Sequence, residues 1–237
     1  MAKIGLMGGT FNPIHNAHLA LADAAYHYCG LDQVWFMPSG VSYLKSGLSI
    51  PNSEVRSAMI RLAIKNVPYF SFCDVEIQRE GNTYTADTLK ELTVRYPEHE
   101  FYFLMGADSA FYFSHWHQPE QITRLCTLGI VNRNPMERER LEGQIQQLKT
   151  QFHAKVILIP FQDFSDISSS RIRELTQREE SITDYVPSAV AEYILTNRLY
   201  TENSADQSKR RQCQEKGNGE TQNGLKKTQE KNEKSTG

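Results

Sequence analysis

The chain has 237 residues, with 26 Lys and Arg against 28 Asp and Glu and a formal net charge of −2. That length suits one large domain or two small ones, and so balanced a charge calls for neither a nucleic-acid nor a membrane partner. No apolar run approaches the roughly 20 residues of a membrane span, and the N-terminus lacks a basic-then-apolar leader. Four scattered cysteines, with no CxxC pair, read as free thiols of a cytoplasmic protein rather than as a disulfide framework or zinc site.

Short β-rich runs alternate with helical patterns along the chain. Strands are predicted at 3–7, 33–37, 70–75, 101–105, 127–131 and 155–159. Helices are predicted at 16–29, 54–66, 86–95, 119–125, 136–152, 169–177 and 188–197. Several strand runs are continuously apolar, as strands buried on both faces are. The alternation predicts an α/β fold: a Rossmann-like, doubly wound parallel sheet with a C-terminal helical portion. Composition breaks near Tyr200. Beyond it the only apolar side chains are Ala205, Cys213 and Leu225. The expected organisation is one domain over 1–202 and a disordered polar tail over 203–237, too poor in apolar surface to offset the entropy of ordering.

In a sheet of this kind ligands bind beyond the C-terminal strand ends, where the strand order reverses. Two strand ends carry glycine: Met7-Gly8-Gly9-Thr10 and Met105-Gly106-Ala107-Asp108. The first runs on through Phe11-Asn12-Pro13-Ile14 to His15 and His18, which the pattern places in the first turn of a helix. Unpaired backbone N–H groups and the positive end of the helix dipole suit that end to an anion, phosphate above all. The glycines are expected to let a ligand approach the backbone closely.

The segment from Gly8 to His18 resembles the GxFxPxHxGH signature of the HxGH nucleotidyltransferases, with Ala17 where the signature has glycine. Tyr84-Thr85-Ala86-Asp87-Thr88-Leu89 resembles the (S)YTxDTL element of the nicotinate-nucleotide adenylyltransferases within that superfamily. Gly106-Ala107-Asp108-Ser109 with Trp116 resembles their GxDxxxxxxxW element. Ile167-Ser168-Ser169-Ser170-Arg171-Ile172-Arg173 resembles their ISSTxIR motif, with Arg173 at the matching arginine. Pro38 and Lys45 stand where the family has a Pro and a phosphate-contacting Lys, although the residues just before Lys45 differ. Arg56 matches a family arginine expected to support that loop. The likeness extends from Lys3 to Tyr200, where the C-terminal helix is assigned to packing.

The resemblance implies adenylyl transfer from ATP to nicotinate mononucleotide in NAD biosynthesis, with Mg²⁺ brought in on ATP, no metal site of the protein's own and no nucleic-acid partner. It implies that His15, His18, Lys45 and Arg173 carry the catalysis. ATP would be held by those histidines and Arg173 with Gly8, Gly9, Thr10, Phe11, Gly106, Asp108, Ile167, Ser168 and Ser169. Nicotinate mononucleotide would be held by Lys45, Thr85, Asp108, Trp116 and His117, the backbone N–H groups of Thr85 and His117 gripping its carboxylate. Plainer readings stand beside these. Thr85 is a natural N-cap, the Ser168 segment could be a cap with a solvated arginine, and Trp116 could be core packing. Rival functions are the same chemistry on nicotinamide mononucleotide or phosphopantetheine, or a nucleotide sensor that has lost catalysis.

Overall fold

Six short, largely apolar runs form six strands, all pairing in parallel. They are β1 (Lys3–Gly9), β2 (Gln33–Pro38), β3 (Phe70–Phe72), β4 (Glu100–Gly106), β5 (Thr127–Val131) and β6 (Val156–Ile159). The computed structural model describes residues 1–40, 50–132, 138–160 and 167–201. Lys45 and the tail 203–237 therefore lie outside the described residues. The strand order is β3-β2-β1-β4-β5-β6, so the order reverses between β1 and β4, as in a doubly wound sheet.

Parallel strands need crossover connections, and helices supply them. They are α1 (Asn16–Cys29), α2 (Ser53–Ile64), α3 (Thr85–Arg95), α4 (Ala107–Tyr112), α5 (Pro119–Leu125) and α6 (Arg138–Phe152); α7 (Ser169–Gln177) and α8 (Ser188–Thr196) follow β6. Alternate residues of the central strands (Ile4 and Leu6, Phe101 and Phe103, Leu128 and Ile130) join a core completed by Leu89 and Leu92 of α3, Ile122 of α5, and Leu141 and Leu148 of α6. Leu6, Leu89, Ile122, Leu128 and Leu148 are wholly buried, and each such side chain contributes roughly 1.5–3 kcal/mol. The intervening positions serve the other face. There Leu104 sits between two glycines of neighbouring strands: a Cβ at Gly5 would lie 3.1 Å from one of its methyls, and one at Gly129 would lie 2.8 Å from the other. The glycines leave room for Leu104 and for the side chains that meet it there, Leu31 and Val34 at Gly5 and Ile159 at Gly129.

The sheet matches the predicted one strand for strand, with differences at the ends. β3 stops at Phe72 rather than 75, because the chain turns at Asp74, whose carbonyl accepts from the Ile77 and Gln78 N–H groups. The α2 helix starts at Ser53, its Asn52 cap accepting from the Val55 N–H at 2.9 Å. α4 and the 3₁₀ turn Phe113–His115 that follows it are absent from the sequence-based prediction. Thr85 does not cap α3: the helix begins one residue earlier, with the Thr88 N–H bonded to the Tyr84 carbonyl and Tyr84 in the cap position. Its buried threonine, Thr88, hydrogen-bonds into the protein instead.

The chain divides into two compact units, Met1–Tyr193 and Ile194–Gly237. Of the second, residues 194–201 are described. There the end of α8 folds back through a Leu199 N–H to Ile194 carbonyl bond of 3.0 Å. Among the described residues no helix is long and apolar enough to cross a membrane.

One buried charge fixes the strand ends of the first unit. Arg56 of α2 is 4% exposed. Its guanidinium donates to the carbonyls of Thr10 (2.9 Å), Ser39 (2.8 Å) and Pro51 (3.2 Å), joining the chain beyond β1 to the chain beyond β2. A lysine cannot span three carbonyls with one ammonium. Arg56→Lys is expected to lower stability by about 3 kcal/mol, since buried carbonyls lose their donors. Urea unfolding followed by circular dichroism measures this.

Candidate active site

β1 ends at Gly9, and its chain reaches α1 through Phe11, whose φ is +48°, and a cis Asn12–Pro13 bond. The ring of Phe11 is 2% exposed and lies over Gly9, where a Cβ would meet it at 3.2 Å. The space above Gly9 is thus taken up by the protein itself rather than left open to a ligand. Gly8 keeps an ordinary 3.5 Å clearance from Phe103. The Phe11 ring also meets His18 edge-on, with centroids 5.0 Å apart.

His15 occupies the N-cap position of α1 and His18 the third helical position. Their rings stack at 3.6 Å, and the His15 N–H donates to His18 Nδ1 at 3.3 Å. This bond leaves Nε2 as the nitrogen that carries the proton of neutral His18, and therefore as its donor. Next in line, the Asn16 N–H is satisfied by the Tyr185 carbonyl at 2.9 Å. Ala17 is wholly buried, so its methyl group is enclosed by protein and does not project into the space before the helix.

The N-terminus of α7 comes to the same loop from far along the chain. Ser169 Oγ donates to the Pro13 carbonyl at 2.9 Å. Arg173 donates from Nη1 to the Asn12 carbonyl at 2.9 Å and from Nη2 to Ser170 Oγ at 3.2 Å. Ser168, just after Ile167, caps the helix by accepting from the Arg171 N–H at 3.2 Å. The cap reading of Ser168 therefore holds locally, while Ser169 and Arg173 brace the segment that leads to His15.

A second feature opens on the other side of Gly8 and Gly9. A cavity of about 250 Å³ lies where β1 and β4 end side by side, lined among others by Thr10, Thr85, Phe103, Trp116 and His117. It falls just below the roughly 300–1,000 Å³ of a drug-sized ligand pocket, and its size suits a single-ring base. Trp116 is half-buried, and its ring packs against Phe103 and Phe113 at 5.7 and 5.4 Å. It is thus both core and cavity wall. His117 lies against Tyr84, with ring centroids 4.5 Å apart. Gly106 caps α4 directly at the end of β4, which puts Asp108 in the first turn of that helix, exposed. Asp108, His15, His18, Ser168, Ser169 and Arg173 do not line the cavity; Gly8, Gly9 and Thr10 belong both to it and to the chain leading to the histidines.

The cavity also contains a residue that sequence reasoning missed. Glu76 is 7% exposed. Burial pushes its carboxyl above the ordinary carboxylate range, against the pull of a Thr88 hydrogen bond, the Arg79 charge and a Thr83 hydrogen bond. The sequence marks Arg56 only as a support for the loop, and the structure gives it three carbonyls. The available signal was position: Arg56, Met59, Ile60 and Ala63 form one apolar stripe of α2, and a charge on such a stripe is buried with partners.

The sheet order, the histidine-bearing start of α1 and the cavity across the β1–β4 switch are those of a nucleotidyltransferase. The Cytidylyltransferase-like family model matches residues 6–175. The probable nicotinate-nucleotide adenylyltransferase of Lachnoclostridium phytofermentans is 40% identical over 200 residues, spanning 84% of this chain and 100% of its own. A relative of the same description from Dehalococcoides mccartyi is 40% identical over 202 residues, spanning 84% and 97%. Among solved structures, Plasmodium falciparum nicotinic acid mononucleotide adenylyltransferase complexed with NaAD shares the fold, with a TM-score of 0.70 at 24% identity over 84% of this chain and 98% of that one. The chain belongs to the nicotinate-nucleotide adenylyltransferase family.

Because Ala17 is enclosed within the first turn of α1, restoring the glycine of the signature is expected to destabilise the protein. The Ala17→Gly variant should lose about 1 kcal/mol through helix propensity, with a lower urea midpoint at unchanged slope.

Proposed function

We propose that the protein transfers the adenylyl group of ATP to nicotinate mononucleotide, forming nicotinate adenine dinucleotide and pyrophosphate. The observation that carries this reading is the adjacency, through Gly8–Thr10, of a helix start bearing two histidines and a cavity of single-ring size walled by Trp116.

The acceptor's 5′-phosphate is largely dianionic at neutral pH, its second pKa being about 6, so the attack needs no general base. One of its oxygens forms a bond to the α-phosphorus of ATP, and the bond from that phosphorus to the β-bridging oxygen breaks, its electrons leaving with pyrophosphate. The protein aligns the partners in line and neutralises charge. In this reading His15 and His18 hold the ATP phosphates, with His18 Nε2 donating. Arg173 and the N-terminal end of α7 at Ser168 and Ser169 border the same phosphates. Gly8, Gly9, Thr10, Phe11, Gly106, Asp108 and Ile167 frame the adenosine side, and Asp108 accepts from a ribose hydroxyl. Lys45 completes the charge on the transferring phosphates. Nicotinate stacks on Trp116, and its carboxylate takes the backbone N–H groups of Thr85 and His117.

Among the described residues no three His, Cys, Asp or Glu side chains converge as a metal site. In this reading Mg²⁺ would come with ATP, held by the triphosphate and water, and would neutralise phosphate charge.

The direct test is pyrophosphate release with Mg-ATP and, separately, nicotinate mononucleotide, nicotinamide mononucleotide and phosphopantetheine. Turnover with the first alone supports the reading. Preference for another acceptor overturns the cavity assignment, and ATP binding without turnover points to a sensor. His18→Ala is expected to lower kcat by ~10²-fold or more, the scale of losing one stabilising donor; near-normal turnover in a folded variant would remove the role given to it. Trp116→Ala is expected to raise KM for nicotinate mononucleotide well above any change in KM for ATP, as steady-state kinetics on both substrates will show.

A further inference from the structure

Glu76 is the buried titratable group of the cavity that the reaction above does not use. Its surroundings form a directed chain. Arg79 Nη1 donates to Thr88 Oγ1 at 3.2 Å, and that hydroxyl donates in turn to Glu76 Oε1 at 3.0 Å. Arg79 also pairs with Glu91, which Arg95 holds from the other side at 2.9 Å. Thr88 is wholly buried, and its single hydroxyl accepts one bond and donates the other, so its orientation is fixed. The Thr83 side chain adds a second hydrogen bond to Glu76. The carboxyl thus grips residues on both sides of Tyr84-Thr85: Thr83 before them and Thr88 one turn into α3. The near wall is equally close. A Cβ at Gly40 would lie 2.6 Å from the Glu76 carbonyl oxygen, so the chain after β2 and the Glu76 backbone are in contact.

We propose that Glu76 and Thr88 are positioning residues for the acceptor: they hold the Thr83–Thr85 backbone and the start of α3 so that its N–H groups face the cavity at a fixed angle. The inference rests on the nicotinate reading above. Its physical basis is that a carboxylate held by two backbone N–H groups gains geometric specificity only if those groups cannot swing. The Tyr84 side chain makes no cap hydrogen bond to the first turn of α3, and the buried carboxyl braces that turn from outside the helix. Its desolvation is offset by the two threonine hydroxyls and by Arg79.

The test compares Thr88→Val, which keeps shape but cannot donate, with Thr88→Ser, which can. Expected for Thr88→Val is a roughly tenfold rise in KM for nicotinate mononucleotide, the worth of one hydrogen bond, with KM for ATP within twofold of wild type and recovery in Thr88→Ser. Glu76→Gln, whose NH₂ leaves one of the two hydroxyls facing a donor, is expected to show the same split at smaller size, and it decides the matter if Thr88→Val does not fold. Equal shifts in both KM values, or none, would overturn the proposal. Hydrogen exchange keeps the test independent of the acceptor's identity. Amides 83–87 should exchange faster in the variants while those of β1 and β4 do not. A wild-type enzyme inactive on nicotinate mononucleotide, together with this local loosening in the variants, would refute the substrate reading and retain the positioning role. Unchanged exchange would refute the role itself.

Discussion

The site depends on the parallel pairing of β1 with β4, in the register Met7 opposite Leu104. The two strands are neighbours in space and distant in sequence. Because the connections on either side run outward in opposite directions, no crossover roofs the gap at their C-terminal ends. Each strand there releases its chain into a helix: β1 through a loop to the histidines, β4 directly into α4. A crevice with helix N-termini on its rim follows from the topology alone, before any side chain is chosen.

A crevice needs rigid walls, and here they are held through backbone carbonyls. Thr10 and Ser39 are held by Arg56, Asn12 by Arg173 and Pro13 by Ser169. None of these carbonyls belongs to a strand or helix ladder, so each requires a donor from elsewhere. For the loop between β1 and α1 the donors come from α2 and α7, elements that do not adjoin it in sequence, while Ser39 lies in the segment that leads from β2 to α2. The loop therefore stays irregular without being loose. Gly9 fits the same scheme: its missing side chain makes room for the Phe11 ring, which in turn supports His18.

Much of this was legible in the sequence. Short β-rich runs mark all six strands, and several of them are continuously apolar, as strands buried on both faces are. The histidine helix start, Trp116 and Thr85 were singled out by their motifs, and the structure brings Thr85, Trp116 and His117 to one cavity. What escaped were features whose partners lie far off in sequence. α4 has six residues, too few to show a period. Glu76 looks like an ordinary surface residue of a turn, and Thr88 only like one position of a motif, until β2, the 73–79 turn and α3 are brought together. The start of α3 was misjudged by one residue because threonine favours caps, whereas the structure puts Tyr84 there.

The anchoring of Ser169 to Pro13 spans 156 positions, and that of Arg173 to Asn12 spans 161. A chain growing on the ribosome can pair β1 with β2 early, but β1 waits for β4, and the loop bearing His15 waits longer still for α7. Contacts of such long range slow folding, and chains fold largely as their segments emerge. The sheet is thus a scaffold that precedes its own active centre. A nascent protein has a core before it has the braced histidine loop, and the start of α1 is among the last parts of the first unit to become rigid.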